Sequence, residues 1–355
     1  MPKRTVDQRQ LALFAPDALL EPMAKGGKPA APKAVSNRRA RIDVSAVTPL
    51  PEDVRHAAAL PANVHMGTSS WSFPGWNGLV YDGDFSQGIL AKRGLSAYSQ
   101  HPLFRTVGID RTYYRPISAD AFAEYSNAVP DGFRFLTKAP EDCTALRFAN
   151  HPRYGDRRGQ KNGIWLNPNW TQEHFVAPLT EGLGTKAGPL LFQFPPQSTR
   201  ELGPPEAFAD HLHRFLDALP RGPLYAVELR NPELLTRQYE AALADVGAVH
   251  CANAWGWMPK PSEQLRGHPT SRALVIRWML RSELNYSEAK EKYSPFTQIV
   301  DSDPARRSDI AKLISDAIDE GLPVWVIVNN KAEGCAPLSI AELARAIARL
   351  RRERQ

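Results

Sequence analysis

The sequence is short of cysteine. Its 355 residues hold only Cys143, Cys251 and Cys335, far apart and odd in number. That excludes a disulfide framework and a CxxC metal knuckle, and it points to a reducing compartment. Long apolar runs are missing too. None approaches the roughly 20 residues that span a bilayer, so no membrane segment is expected. The opening stretch "MPKRTVDQRQLALFAPDALLEP" lacks both a long apolar core and a small-residue cleavage site. It does not read as a signal peptide, and the chain reads as cytoplasmic. No GxGxxG or GxxxxGKS/T follows any strand-like run, which removes the simplest dinucleotide-binding and P-loop readings.

What is present is a globular composition with a polar appendage. Hydrophobic residues make up 43% and charged residues 23% of the chain, enough for a sizeable core. The net charge is +6, and residues 1–60 carry ten Lys/Arg against six Asp/Glu. This stretch is rich in Ala, Pro, Lys and Arg without a sustained apolar period, so residues 1–60 are expected to be a disordered basic tail. Such a tail suits nucleic acid or an acidic surface, or serves only as a solvated appendage. Within it, "QLALF" sets large apolar side chains in a polar setting, as docking peptides do.

From residue 61 to 355 the pattern becomes regular. Strand-like runs are read at "VHMGTS" (64–69), "TVGID" (106–110), "FRFLTK" (133–138) and "PLLFQF" (189–194). Four more follow at "LYAVELR" (224–230), "AVHCAN" (248–253), "LVIRWM" (274–279) and "VWVIVNN" (324–330). Several are almost continuously apolar, as parallel strands covered on both faces are. Helix-like segments separate them, and the last, "SIAELARAIARLRRER", begins with Ser339 and Glu342 at capping-box spacing. Eight βα units over about 290 residues fit an α/β fold of the (β/α)8 TIM-barrel type better than an open doubly wound sheet.

In such a barrel the working face is the C-terminal end of the strands. Polar residues collect there after all eight apolar runs: Thr68 and Ser69, Asp110, Lys138, Gln193, Glu228 with Arg230, Asn253, Arg277, and Asn329 with Asn330. Residues two apart share a face of a strand, so Glu228 and Arg230 point the same way. Asp110 follows Gly108, Gln193 follows Leu191, and Arg277 follows Val275 on the same face. If those faces turn inward, one mouth gathers Lys138, Arg230 and Arg277 with Asp110 and Glu228. It would suit an anionic ligand, because Arg forks bind phosphate and carboxylate oxygens. The alternative is a network of ion pairs that only caps the barrel. The first loop carries Trp71, Phe73, Trp76 and Tyr81, and the second Tyr113 and Tyr114. Aromatics there can stack bases or sugars, or pack together as a lid.

The ordered series "GTSSWSFPGW", "RTYYRP", "FRFLTKAP", "GPLLFQFPP", "VELRNPE" and "NNKAEGCAP" resembles the domain of unknown function 72 family, also called YecE-like, from about Met66 to Leu350. The resemblance implies a TIM barrel and brings no established activity. Such barrels have been likened to the endonuclease IV group, which makes nucleic acid a partner by analogy. The matching positions include Thr68, Trp71, Tyr114, Lys138, Gln193 and Glu228, then Arg230, Arg277, Asn329, Asn330 and Glu333; Lys331 lies among the last of them. The chain departs from the family pattern at "GID" on the second strand, where Glu-Ile-Asn is common, and at "RWM" on the seventh, where Arg-Leu-His is frequent. Its third loop is enlarged, and Arg147, Arg153, Arg157, Arg158 and Lys161 within it would extend a positive surface. "QLALF" is similar to the bacterial sliding-clamp binding motif, with Gln10, Leu11, Leu13 and Phe14 at its positions, which implies the clamp as a partner.

A metal-assisted nuclease needs clustered His, Asp and Glu ligands. Asp110, Glu228 and Glu333 stand at strand ends, but no histidine does. His65 and His250 lie inside apolar runs, as core residues do. No multi-zinc site and no cofactor are expected, while one Mg²⁺ on carboxylates and water remains open. Two metal-free routes also stay open. Asp110 and Glu228 can serve as an acid/base pair if closure sets them about 5–9 Å apart. Lys138, desolvated among arginines, can form a Schiff base with an aldehyde. The expected function is binding or processing of a phosphate-bearing ligand at the mouth, DNA in repair or replication being one such ligand. A small-molecule enzyme acting on a phosphorylated or carboxylated sugar is one alternative, and a non-catalytic clamp-associated module another.

Overall fold

A computed structural model describes residues 43–266, 272–280 and 283–354. Strands form where the apolar runs stand: β1 Val64–Thr68, β2 Thr106–Ile109, β3 Arg134–Lys138, β4 Ala187–Gln193, β5 Tyr225–Glu228, β6 Val249–Ala254, β7 Leu274–Trp278 and β8 Val324–Val328. Every neighbouring pair is parallel, and β8 pairs with β1 through Val64–Val324 to Thr68–Val328, so the sheet closes into a barrel. Helices α1 Pro51–Ala59, α2 Gln87–Tyr98, α3 Ala119–Asn127, α4 Ala177–Leu183, α5 Pro205–Asp217, α6 Arg237–Val246, α7 Tyr286–Tyr293, α8 Pro304–Asp319 and α9 Ala336–Arg354 accompany it.

The helices begin where side chains can accept the free N–H groups of a first turn. Ser86, Ser118, Thr236 and Asp303 do so for α2, α3, α6 and α8. In α5, Phe208, Leu212 and Phe215 recur on one face and are buried on the sheet. Each fully buried side chain of this size is worth about 2–3 kcal/mol. The layer between sheet and helices therefore contributes more than the barrel's narrow interior, because far more of the buried apolar side chains belong to it.

Two expectations at the chain's ends are corrected. The tail was expected to run to residue 60, but residues 51–59 form α1. Pro51 opens the helix, and at its end Arg105 donates to the carbonyls of Ala57 (2.8 Å) and Pro61 (2.6 Å), adding to the Leu60 and Val64 N–H groups that these oxygens also accept. Ahead of it, Asp82 N–H donates to Ser45 O and Val47 N–H to Val80 O, fixing residues 45–47 on the first loop. The sliding-clamp-like peptide Gln10–Phe14 lies outside the described residues. At the other end, Ser339 is buried inside α9 rather than capping it. The helix starts three residues earlier because the Asn330 side chain reaches forward and accepts the Ala336 N–H at 2.8 Å.

The barrel interior holds Leu136, Leu191, Ala226, Cys251, Val275 and Ile327, with Trp325 at a lower level stacked on His65 at 5.0 Å. Burial pulls the His65 imidazole down to about 4, so it is neutral. His250 points the other way and is satisfied by Tyr239 Oη (2.8 Å) and Gln264 (3.2 Å). Both histidines belong to the core. No helix among the described residues is long and apolar enough to cross a membrane.

Gly67 marks the tightest point of the closure. A Cβ there would lie 1.8 Å from the Thr106 carbonyl oxygen on β2, a contact no rotamer can relieve. Gly67→Ala is expected to destabilise the barrel by about 3 kcal/mol, the upper end of overpacking costs. A urea denaturation midpoint equal to that of the parent chain would refute this.

Candidate functional site

The side chains that fill the barrel interior decide what lies above them. Two residues beyond Leu136, Leu191, Ala226, Cys251, Val275 and Ile327 stand Lys138, Gln193, Glu228, Asn253, Arg277 and Asn329. The same step carries Gly67 to Ser69, Gly108 to Asp110, and Glu228 to Arg230. The inward turn expected for Asp110, Gln193, Glu228, Arg230 and Arg277 is therefore the one that β1 to β8 produce. Leu229 lies in the outer layer, opposite to Glu228 and Arg230.

Glu228 is the centre of this ring and is wholly buried. Arg277 Nη1 donates to its Oε2 at 2.6 Å, and Arg230 Nη2 makes an ion pair with its Oε1. Arg277 also donates to Gln193 Oε1 at 3.1 Å, and its Nη2 lies 3.9 Å from Asp110 Oδ2. Burial opposes the charge on Glu228, yet Arg230 and Arg277 hold its carboxyl below the usual range. Burial pulls the Arg230 guanidinium down to about 10, which leaves it charged at neutral pH. Burial also works against Arg277, but Glu228 and Asp110 raise its pKa above the ordinary arginine value.

Lys138 sits differently. Its Nζ lies 3.5 Å from the centre of the Tyr113 ring and makes no ion pair or hydrogen bond among the described residues. Its carbonyl accepts from Thr112 Oγ1 at 2.5 Å, which fixes the backbone beneath the amine. Burial, with Arg277 and Arg230 nearby and only partly offset by Asp110 and Glu228, pulls the amine down to about 7. Lys331 rests over the Tyr286 ring at 3.9 Å, and burial, aided by Lys290, brings it to about 8.

Several polar atoms in the ring have no partner. Gln193 Nε2, Arg230 Nε and Nη1, and Arg277 Nε are buried donors without an acceptor in the protein. They surround a carboxylate that is already occupied. Asp110 Oδ1 and Asn253 Oδ1 in the same ring are buried acceptors without a donor, so four unmatched donor atoms stand against two unmatched acceptors, and the donors are grouped on Gln193, Arg230 and Arg277.

The walls are uneven. On the β6–β7 side, Trp255, Met258, Leu280, Tyr293 and Phe296 pack together. Trp255 lies 4.3 Å from the Arg230 guanidinium. Phe73 of the first loop joins through Phe296 at 5.6 Å. On the β2 side the bowl is open, with Asp110 36% and Tyr114 39% exposed. The first-loop aromatics form lid and wall rather than a stacking platform. Trp71 donates to Leu90 O at 3.1 Å and meets Tyr125 edge-on, facing the helices.

Other expected site residues are spent on scaffolding. Thr68 Oγ1 donates to Ser70 O (2.7 Å) and pairs with Tyr98 Oη. Asn253 donates to Leu229 O at 3.0 Å, and Asn329 to Ser69 Oγ at 2.9 Å. Glu333 is wholly buried, pairs with Arg307 and accepts the Asp303 N–H at 2.6 Å, tying the eighth loop to the start of α8. The third loop is corrected in part: Arg147 pairs with Glu201, Arg153 with Glu141 and Arg157 with Asp142. Glu141 and Asp142 are buried and need their arginines, so three of the five expected cations are spent, while Arg158 and Lys161 stay exposed. Trp255 was not anticipated as part of the site. Its one signal is an aromatic two residues past Asn253, in the step that also carries Glu228 to Arg230. Among the described residues, no three His, Cys, Asp or Glu side chains gather in a metal-holding group.

Comparison with known proteins agrees with this architecture. A crystal structure of a DUF72 family protein from Enterococcus faecalis superposes with a TM-score of 0.54 at 15% identity, covering 80% of this chain and 95% of that one. A DUF72 family protein from Thermotoga maritima gives 0.53 at 18% identity, covering 80% and 99%. At these identities the likeness shows the fold alone. No curated protein matches the chain. The model for the protein family of unknown function DUF72 matches residues 65–355, so the chain belongs to the DUF72 family.

Proposed function

We propose that the barrel mouth binds a small molecule bearing a phosphate or carboxylate and exposes it to the Lys138 amine. The observation that carries this reading is the set of buried donors without acceptors on Gln193, Arg230 and Arg277. An unmatched buried donor costs about 1–3 kcal/mol, so an anion that fills several of them is bound strongly. Glu228 acts as the counter-ion that holds both guanidinium groups in place. It is ionised, doubly paired and sealed, which suits it poorly to be an acid. Arg277 reaches toward both Glu228 and Asp110, so a guanidinium occupies the gap that a two-carboxylate sugar hydrolase needs for its substrate.

Depth and charge favour a small ligand over a duplex at this site. The anchoring groups lie below the rim and beside an aromatic wall. Residues 43–355 contain 35 Lys/Arg and 35 Asp/Glu, so the barrel is formally neutral. Residues 1–42 hold the whole net charge of +6, nine basic against three acidic. That distribution supports a second, separate reading, in which the tail rather than the mouth contacts nucleic acid. If so, removing residues 1–42 abolishes salt-dependent DNA binding in a fluorescence anisotropy titration. Affinity that survives the truncation would exclude the tail.

Inorganic phosphate should raise the melting temperature more than chloride at matched ionic strength. Gln193→Leu and Arg230→Met should each reduce that increment by half or more. Equal increments in parent and variants would mean a general salt effect and no site.

The pH dependence follows from Lys138. Its folded pKa, about 7, lies below the ordinary lysine value of 10.5, so the folded chain binds fewer protons than the unfolded chain between those limits. The stability penalty from this amine is complete below about pH 7 and declines as pH rises. Lys138→Met should therefore gain on the parent at pH 6, and the gap should narrow by on the order of 2 kcal/mol by pH 9. A stability difference that stays constant from pH 6 to 9, measured by urea unfolding, would contradict the assigned environment.

A further inference from the structure

Most buried lysines are neutralised by a carboxylate, but this one is not. Lys138 is 7% exposed, stands on the inward face of β3, and has two carboxylates within electrostatic range. Those carboxylates are turned to other partners: Glu228 to Arg230 and Arg277, and Asp110 toward Arg277. The amine is left on the face of Tyr113, which contributes attraction but accepts no proton. A free, desolvated amine beside an anion-binding corner has the makings of a nucleophile.

We propose that Lys138 forms a Schiff base with a short aldehyde or ketone whose phosphate or carboxylate is held by Gln193, Arg230 and Arg277. This inference rests on the anion-binding reading above and adds the substrate's second functional group. The Lys138 Nζ lone pair adds to the carbonyl carbon, and the C=O π pair moves to oxygen. The proton released from nitrogen passes to that oxygen, giving a carbinolamine. A second proton, lent by an acid, lets the hydroxyl leave as water while the nitrogen lone pair forms the C=N bond, and the N–H proton of the resulting iminium returns to that acid. One carbonyl and one amine thus give one imine and one water, with no oxidant or metal. Asp110 is placed to carry the protons. It follows Ile109, which pairs with Thr137, so it is level with Lys138 on the neighbouring strand, and its side chain is open to solvent.

The geometry also limits the substrate's length. Lys138 on β3 and Arg230 just past β5 are two strand spacings apart, about 10 Å at the backbone. Both are long side chains that converge on the barrel axis. A carbonyl a few carbons from the anion fits, whereas a polymer backbone does not.

The test is reductive trapping on the full chain. The protein is incubated with glyceraldehyde 3-phosphate and sodium borohydride, and in parallel with glyceraldehyde, then digested and mapped by mass spectrometry. The expected result is a single dominant adduct on Lys138 with the phosphorylated aldehyde. It should be at least tenfold weaker with glyceraldehyde or in excess inorganic phosphate, and absent in Lys138→Met. An adduct on Lys138 of equal yield with both aldehydes would keep the nucleophile and overturn the anion site. If label falls on Lys331 or spreads over surface lysines with none on Lys138, the Schiff base assignment is wrong, whatever phosphate does to the melting temperature. A folded Gln193→Leu variant provides the second check: it should lose the preference for the phosphorylated aldehyde and retain Lys138 labelling by glyceraldehyde at high concentration.

Discussion

One carboxylate organises the mouth of this barrel. Glu228 is wholly buried at the end of β5, where an unpaired charge would be costly, and two guanidinium groups converge on it. Removing one partner from such a cluster costs about 3–5 kcal/mol, because the remaining charge loses its compensation. Arg277 then reaches on to Gln193 and toward Asp110, and Arg230 lies against Trp255. The two cations are held by one anion, and Arg230 Nε and Nη1 and Arg277 Nε are left without acceptors. The same arrangement withholds both carboxylates from Lys138. An anion-binding corner and an unneutralised amine are thus two results of one packing decision.

Much of the fold was legible in the sequence because parallel strands covered on both faces have to be continuously apolar. All eight runs could be read, and so could the parity of Gly108 with Asp110 and of Val275 with Arg277. What could not be read were choices made by long-range partners. The start of α9 is set by Asn330, six residues ahead of the N–H it accepts, so the local Ser339–Glu342 spacing misled. Residues 51–59 look like more tail until Arg105, about 50 residues on, takes the carbonyls at the end of α1.

The site was legible in part, for the same reason. Strand alternation predicts which side chains point inward, and it yielded Lys138, Gln193, Glu228, Arg230 and Arg277. It says nothing about how a side chain is spent once there. Thr68 and Asn253 stand at strand ends but are bonded to their own surroundings, and Glu333 is committed to Arg307. Arg147, Arg153 and Arg157 of the third loop looked like free positive surface because their carboxylate partners lie 12 to 54 residues away.

The electroneutrality of residues 43–355 has a practical corollary. A body with equal numbers of positive and negative side chains has little long-range repulsion between copies near neutral pH, so it is prone to self-association there. Residues 1–42 carry the whole net charge of +6, so the barrel freed of them should be least soluble near neutral pH and is best handled away from it.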